Sequence, residues 1–107
     1  MLKIFKNNNL YRVGLDDDTF DGISFDEMTS YTNGNELYLL KIMKNNNANV
    51  KYYNYTINEY VLEKDYIEHF INYDYEKNYI LPECTFTNKN DAKNVKDILE
   101  NYRNIED

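Results

Sequence analysis

Residues 36–57, ELYLLKIMKNNNANVKYYNYTI, carry the strongest secondary-structure signal in the chain. Glu36 to Lys44 is a dense apolar run, which favours a strand that is buried on both faces. Val50 to Ile57 is rich in aromatic and branched residues, as strands are, and the asparagine-rich stretch 45–49 between the two suits a turn. The pattern therefore predicts a central β-hairpin over residues 36–57.

Tyrosine is unusually common in this stretch and in the chain as a whole. Alternation along the second strand places Tyr53, Tyr55 and Ile57 on one face, with Val50 and Tyr52 on the other. Twelve tyrosines are more than one small core can bury, so we expect some at the surface. Partial burial as amphipathic packing is one interpretation, and base stacking is another. Because tyrosine is enriched among binding hot spots, we predict that Tyr53 and Tyr55 bind a partner.

On the N-terminal side, two short strands and a short helix are expected. Leu2 to Phe5 and Leu10 to Leu15 flank three consecutive asparagines, which suit a hairpin turn. Ser24 and Glu27 form a capping-box pattern, which predicts a helix from about Phe25 to Tyr31. Asn33-Gly34 is a stop signal for that helix.

On the C-terminal side, a helix is predicted over about Asp65 to Tyr73, with its apolar face at Leu62, Tyr66 and Phe70 and extended by Ile67 and Ile71. Residues 58–64 fit either a strand extension or the start of that helix. Tyr79 to Phe86 favours a last strand, where Pro82 indicates an edge or bulge. The clearest helix follows, capped by Asn88 and carrying an apolar stripe through Val95.

These elements predict an α+β fold, with a small antiparallel sheet of about four to five strands packed with two to three helices, one of them C-terminal. The length of 107 residues is typical of a single domain, so we expect one domain over residues 1–107.

The one cysteine, the absence of a signal-peptide pattern and the lack of a long apolar run indicate a cytoplasmic protein without a membrane segment. The abundance of Asn, Tyr, Lys and Ile indicates an AT-rich gene of bacterial or phage origin.

The negative charge of the chain has a definite location. No Lys or Arg occurs between Val13 and Leu40, whereas the rest of the chain has equal numbers of acids and bases and the net charge is −7. The seven acids of this stretch are Asp16, Asp17, Asp18, Asp21, Asp26, Glu27 and Glu36. A solvated acidic loop is the simplest interpretation. The alternative is a surface that steers a basic partner, and the first six acids are then its predicted partner-binding residues.

Residues for catalysis or for a metal site are few. The run Asp17 to Gly22 is only a partial match to a calcium loop, because Met28 stands where the bidentate glutamate belongs. Cys84 and His69 are the only residues of their kinds, and no nucleophile motif surrounds Cys84. We expect Cys84 to be a buried structural thiol and His69 to lie at the rim of a helix face. The sequence therefore predicts no enzyme, no cofactor and no resident metal.

As a short, acidic, Asn- and Tyr-rich chain, the protein resembles phage anti-defence proteins, including anti-CRISPR inhibitors, and this resemblance is one of composition. It implies an inhibitor that binds a basic nucleic-acid-processing protein and occludes its nucleic-acid channel. Direct nucleic-acid binding is not expected, because no basic footprint is visible in the sequence. The alternatives are an immunity or antitoxin-type protein against a nuclease toxin, a small-ligand-binding or Cys/His enzyme, and a homodimer formed through an edge strand.

Overall fold

The computed structural model of the chain describes residues 1–72 and 77–106, and side chains up to residue 102. In chain order the elements are β1 (Leu2–Asn7), β2 (Leu10–Leu15), a 3₁₀ helix (Asp26–Thr32), α1 (Glu36–Asn45), β3 (Asn49–Asn54), β4 (Glu59–Val61), α2 (Glu63–Asn72), β5 (Ile80–Thr85) and α3 (Lys89–Glu106). The five strands form two small antiparallel sheets, β1-β2 and β4-β3-β5. This mixture of strands and helices, with a C-terminal helix, confirms the predicted α+β class.

The chain divides into two compact units. The first comprises Met1–Asn49 and the segment from Cys84 onward, and the second comprises Val50–Glu83. A single cooperative domain over residues 1–107 stays a prediction.

The first unit is built on the β1-β2 hairpin. The strands pair from Leu2 opposite Leu15 to Asn7 opposite Leu10, and Asn8 in the turn has a positive φ of 56°. This confirms the predicted hairpin, because asparagine tolerates the left-handed conformation that the turn requires. Helix α3 packs against β1, β2 and the 3₁₀ helix. The core of this unit includes Leu2, Phe5, Val13, Met28, Leu39, Met43, Phe86, Ala92, Val95 and Leu99.

The segment from Glu36 to Asn45 is a helix, so the predicted hairpin over residues 36–57 is wrong. The Oδ1 atom of Asn35 accepts a hydrogen bond from the backbone N–H of Tyr38 at 2.9 Å, which is an N-cap contact. Leu39 and Met43 are buried four residues apart, whereas Leu37 is exposed. That spacing follows the helical period, and Glu, Leu, Lys and Met are strong helix formers.

We expect Asn35→Ala to lower the free energy of unfolding by about 0.5–2 kcal/mol, because the N–H of Tyr38 would lose its capping acceptor. Asn35→Asp should stay near the wild-type stability, since its carboxylate can accept the same hydrogen bond. Urea unfolding followed by circular dichroism measures both variants. If the free energy of unfolding of Asn35→Ala is no lower than that of Asn35→Asp, the capping hydrogen bond does not stabilise the helix.

The acidic stretch ends in a short 3₁₀ helix rather than in the capped helix that the sequence predicts. The residue at the N-cap position is Phe25, and its side chain makes no capping hydrogen bond. Ser24 instead donates from its hydroxyl to the carboxylate of Asp26, so the Ser24–Glu27 capping box is not formed. The predicted stop is confirmed, because Asn33 and Gly34 both have positive φ, at 54° and 79°.

The second unit contains β3 with its antiparallel neighbour β4 and helix α2. Tyr53 lies opposite Tyr60 in this pair, and Tyr52 lies opposite Val61. Residues 58–64 therefore begin as a strand and end in the first turn of α2. Strand β5 lies at the other edge of this sheet, in agreement with the presence of Pro82. The predicted end of α2 at Tyr73 lies outside the described residues.

Helix α2 buries a face that is rotated from the predicted one. Tyr66 is fully buried and His69 is 4% exposed, whereas Leu62, Ile67 and Ile71 are exposed. The prediction that His69 lies at a rim is therefore wrong. The imidazole is accommodated among aromatic rings, with centroid distances of 6.4 Å to Tyr66 and 5.6 Å to Phe70.

Helix α3 confirms the predicted C-terminal helix. The Oδ1 atom of Asn88 accepts a hydrogen bond from the N–H of Asn90 at 2.8 Å, as expected of a cap. Ala92, Val95 and Leu99 form its buried stripe. Across the described part of the chain, no helix combines the length and apolar character needed to cross a membrane.

Candidate partner-binding surfaces

The acidic segment, residues 16–27, belongs to the first unit and is held by its own short-range hydrogen bonds. The Oδ2 atom of Asp18 accepts from the N–H of Leu15 at 3.1 Å, and the N–H of Asp18 donates to the Leu15 carbonyl oxygen at 3.1 Å. The N–H of Gly22 donates to the carbonyl oxygen of Thr19 at 3.1 Å. The segment therefore begins with tight turns that are closed by backbone hydrogen bonds and by the carboxylate of Asp18.

The six predicted acids differ in their surroundings. Asp18 and Asp26 are half-buried, and each carboxylate accepts a hydrogen bond within the segment. Asp17, Asp21 and Glu27 are exposed, and none of the three has an ion-pair partner among the side chains described. A carboxylate that already accepts a hydrogen bond within the protein has fewer lone pairs for a partner. Asp17, Asp21 and Glu27 are therefore the strongest contact candidates of the segment.

Asp16 lies in a different electrostatic setting. It lines a groove of about 580 Å³ together with lysines from β1 and α3, which are Lys3, Lys89, Lys93 and Lys96. The hydrogen bond that Lys96 donates to Glu100 raises the pKa of Lys96 above its ordinary value, and the negative charge of Asp16 adds to this effect. The lysines beside Asp16 therefore compensate part of its charge.

A row of tyrosine rings lies on the three-stranded sheet of the second unit. We call Tyr60, Tyr53, Tyr55 and Tyr79 the tyrosine row. The ring centroids of Tyr60 and Tyr53 are 5.0 Å apart, those of Tyr53 and Tyr55 are 4.9 Å apart, and those of Tyr55 and Tyr79 are 6.0 Å apart. Tyr60 is 57% exposed and Tyr55 is 48% exposed. Contiguous exposed aromatic surface of this kind is typical of interaction sites.

The register of β3 and β4 explains how the tyrosine row arises. Tyr53 lies in β3 and Tyr55 directly follows the end of that strand, and the contact between their rings agrees with the common face that the sequence predicts. Tyr60 joins them because it is paired directly with Tyr53, and Tyr79 joins them because its carbonyl oxygen accepts from the N–H of Tyr55 at 2.8 Å. Sequence reasoning did not select Tyr60 and Tyr79 as partner-binding residues, although pairing residues 59–61 with β3 would have indicated Tyr60.

The acidic segment belongs to the first unit and the tyrosine row to the second, and each is a candidate surface of its own unit. Two further tyrosines of the chain, Tyr73 and Tyr75, lie outside the described residues.

The candidates for nucleophilic chemistry are also in separate units. Cys84 is buried and belongs to the first unit, as expected of a structural thiol. His69 lines a pocket of about 280 Å³ in the second unit, together with Asp65, Glu68 and Asn54. Asn54 has a structural role, because its Oδ1 atom accepts hydrogen bonds from the N–H groups of Thr56 and Ile57.

The run that partly matches a calcium loop does not form an ion cage. Met28, at the position of the bidentate glutamate, is a buried core residue. Asp18 uses one carboxylate oxygen for the N–H of Leu15. Within residues 1–72 and 77–106, no group of three or more His, Cys, Asp or Glu side chains is placed to hold a metal ion.

Comparison with known proteins adds no relative: no family model matches the chain, and neither a curated protein nor a solved structure is significantly similar to it.

Proposed function

We propose that this chain is a non-enzymatic, protein-binding inhibitor of the anti-defence type, whose acidic segment binds the basic nucleic-acid channel of a bacterial nuclease or effector complex. The observation that carries the proposal is the set of exposed carboxylates at Asp17, Asp21 and Glu27, in a stretch that contains no lysine or arginine. A surface of this charge competes with phosphate for the same cations.

The order of the acidic segment supports this role. Its turns are closed by hydrogen bonds from the N–H groups of Leu15, Asp18 and Gly22. A preorganised loop loses less conformational entropy on binding than a disordered one. The segment therefore presents its exposed carboxylates from a backbone of defined shape.

Electrostatic steering gives the proposal a measurable consequence. Complementary charges raise association rates from about 10⁵–10⁶ M⁻¹s⁻¹ towards 10⁸–10⁹ M⁻¹s⁻¹ at low ionic strength. Salt weakens this effect, because exposed charges are screened beyond a Debye length of about 10 Å at 0.1 M. The association rate, rather than the dissociation rate, should depend on these carboxylates.

We expect the double variant Asp17→Asn/Glu27→Gln to associate with the target about tenfold more slowly at low salt, with the difference shrinking as salt is raised. Asp21 is kept, because an asparagine in front of Gly22 would deamidate back to an acid. The matched control is Glu68→Gln/Asp97→Asn, which removes two exposed acids outside the segment and changes the net charge equally.

The target is first identified by capture from a nuclease-treated lysate of a bacterium with an AT-rich genome. Wild type, the segment variant and the control are immobilised side by side, and retained proteins are identified by mass spectrometry. We expect a nucleic-acid-binding protein that wild type and control retain, that the segment variant retains poorly, and that added duplex DNA releases. Equal retention by all three chains, or retention that DNA does not affect, would contradict the proposal.

A further inference from the structure

The tyrosine row offers ring faces and edges rather than a closed pocket. The rings of Tyr60 and Tyr53 meet at an interplanar angle of 75°, as do those of Tyr53 and Tyr55. In an edge-to-face pair the edge of one ring covers a face of the other, and Tyr60 and Tyr55 nevertheless keep about half of their surface exposed. A ligand with several flat or cationic groups can therefore contact more than one ring.

Charge restricts the kind of ligand that suits this surface. The described residues between 50 and 83 include five Asp or Glu, three Lys and no Arg. A nucleic-acid strand would stack on the rings but would be repelled by this excess of acids. A positively charged partner is attracted by it, and exposed aromatic faces attract cations through their quadrupoles.

The sheet itself contains a contact between a cation and an aromatic ring. The Nζ atom of Lys51 lies 5.7 Å from the ring centroid of Tyr60. The hydroxyl of Tyr60 donates a hydrogen bond to Glu83 at 3.0 Å, which brings a carboxylate to the row. Ring faces beside a carboxylate suit a guanidinium group best, because it can stack on an aromatic face and bind a carboxylate through its planar N–H groups.

We propose that the tyrosine row binds arginine side chains of a basic segment of the partner. The inference deepens the proposed function, since it names the side chains of the basic target that this surface recognises. It predicts discrimination between arginine and lysine, because a guanidinium stacks on aromatic faces whereas an ammonium is a compact, strongly hydrated charge. The acidic segment, by contrast, responds to charge alone.

The test uses nona-arginine and nona-lysine, two peptides of equal charge, titrated into the full chain by calorimetry. We expect nona-arginine to bind about fivefold more tightly, because its guanidinium groups can stack on the ring faces and bind a carboxylate through planar N–H groups, whereas the lysine ammonium is compact and strongly hydrated. In Tyr55→Leu/Tyr60→Leu this ratio should fall to about one. In Tyr55→Phe/Tyr60→Phe, which keeps the ring faces, the preference should persist. Tyr38→Leu, an exposed tyrosine of the first unit, is the control and should leave the ratio unchanged.

Equal affinity for the two peptides, or an arginine preference that survives in the leucine variant, would overturn the inference. Tighter binding of oligothymidine or of a proline-rich peptide than of nona-arginine would assign the surface to another ligand and overturn it as well. Ring-proton shifts of Tyr55 and Tyr60 in the wild type on adding nona-arginine provide a readout that needs no variant. The proposed function fails separately: its failure would appear in the lysate experiment, while the arginine preference could remain intact.

Discussion

Leu39→Ala is expected to lower the free energy of unfolding by about 2–5 kcal/mol, whereas Leu37→Ala on the same helix should cost less than about 1 kcal/mol. The side chain of Leu39 is fully buried in the first unit, and its truncation removes transfer free energy and leaves a cavity. Leu37 is 46% exposed, so little apolar surface changes its environment. Stabilities of small domains are about 5–15 kcal/mol, so the Leu39 loss is large.

This pair of variants also tests the secondary structure of residues 36–45. In a strand, residues two apart lie on the same face and should cost about the same when truncated. In helix α1 the two leucines lie on nearly opposite faces, so the two losses of unfolding free energy should differ several-fold. Urea unfolding followed by circular dichroism gives both values, and similar losses would contradict the helix.

Tyr66→Ala is expected to lower the free energy of unfolding by about 3–5 kcal/mol, the range for truncating large buried aromatic residues. Tyr66 is fully buried in the second unit, and its ring lies 4.9 Å from that of Tyr52 and 5.0 Å from that of Phe70. Ile71→Ala, on the same helix but 69% exposed, is the matched control and should cost less than about 1 kcal/mol.

Native-state hydrogen exchange on Leu39→Ala and Tyr66→Ala tests the single-domain prediction, because the two residues belong to different units. If residues 1–107 unfold as one cooperative domain, each variant should lower the protection of the slowest amides in both units by the same amount. If each variant affects only the amides of its own unit, the single-domain prediction is wrong.

Local signals were enough for the parts of the fold that depend on neighbours in the chain. The turn after β1 follows from three asparagines, and helix α3 follows from its cap and apolar stripe. The closeness of Tyr53 and Tyr55 follows from their separation by two residues at the end of β3. The exposure of Asp17, Asp21 and Glu27 likewise agrees with their charge.

The remaining features depend on contacts that are distant in sequence. A dense apolar run of nine residues fits a buried strand or a buried helix equally well by periodicity, and the Asn35 cap together with packing in the first unit makes Glu36–Asn45 a helix. Because residues 36–45 form a helix rather than a strand, the neighbours of β3 are β4 and β5, and the pairing with β4 brings Tyr60 beside Tyr53. Burial of His69 and the lysines around Asp16 also arise from tertiary packing, which no local pattern of residues encodes.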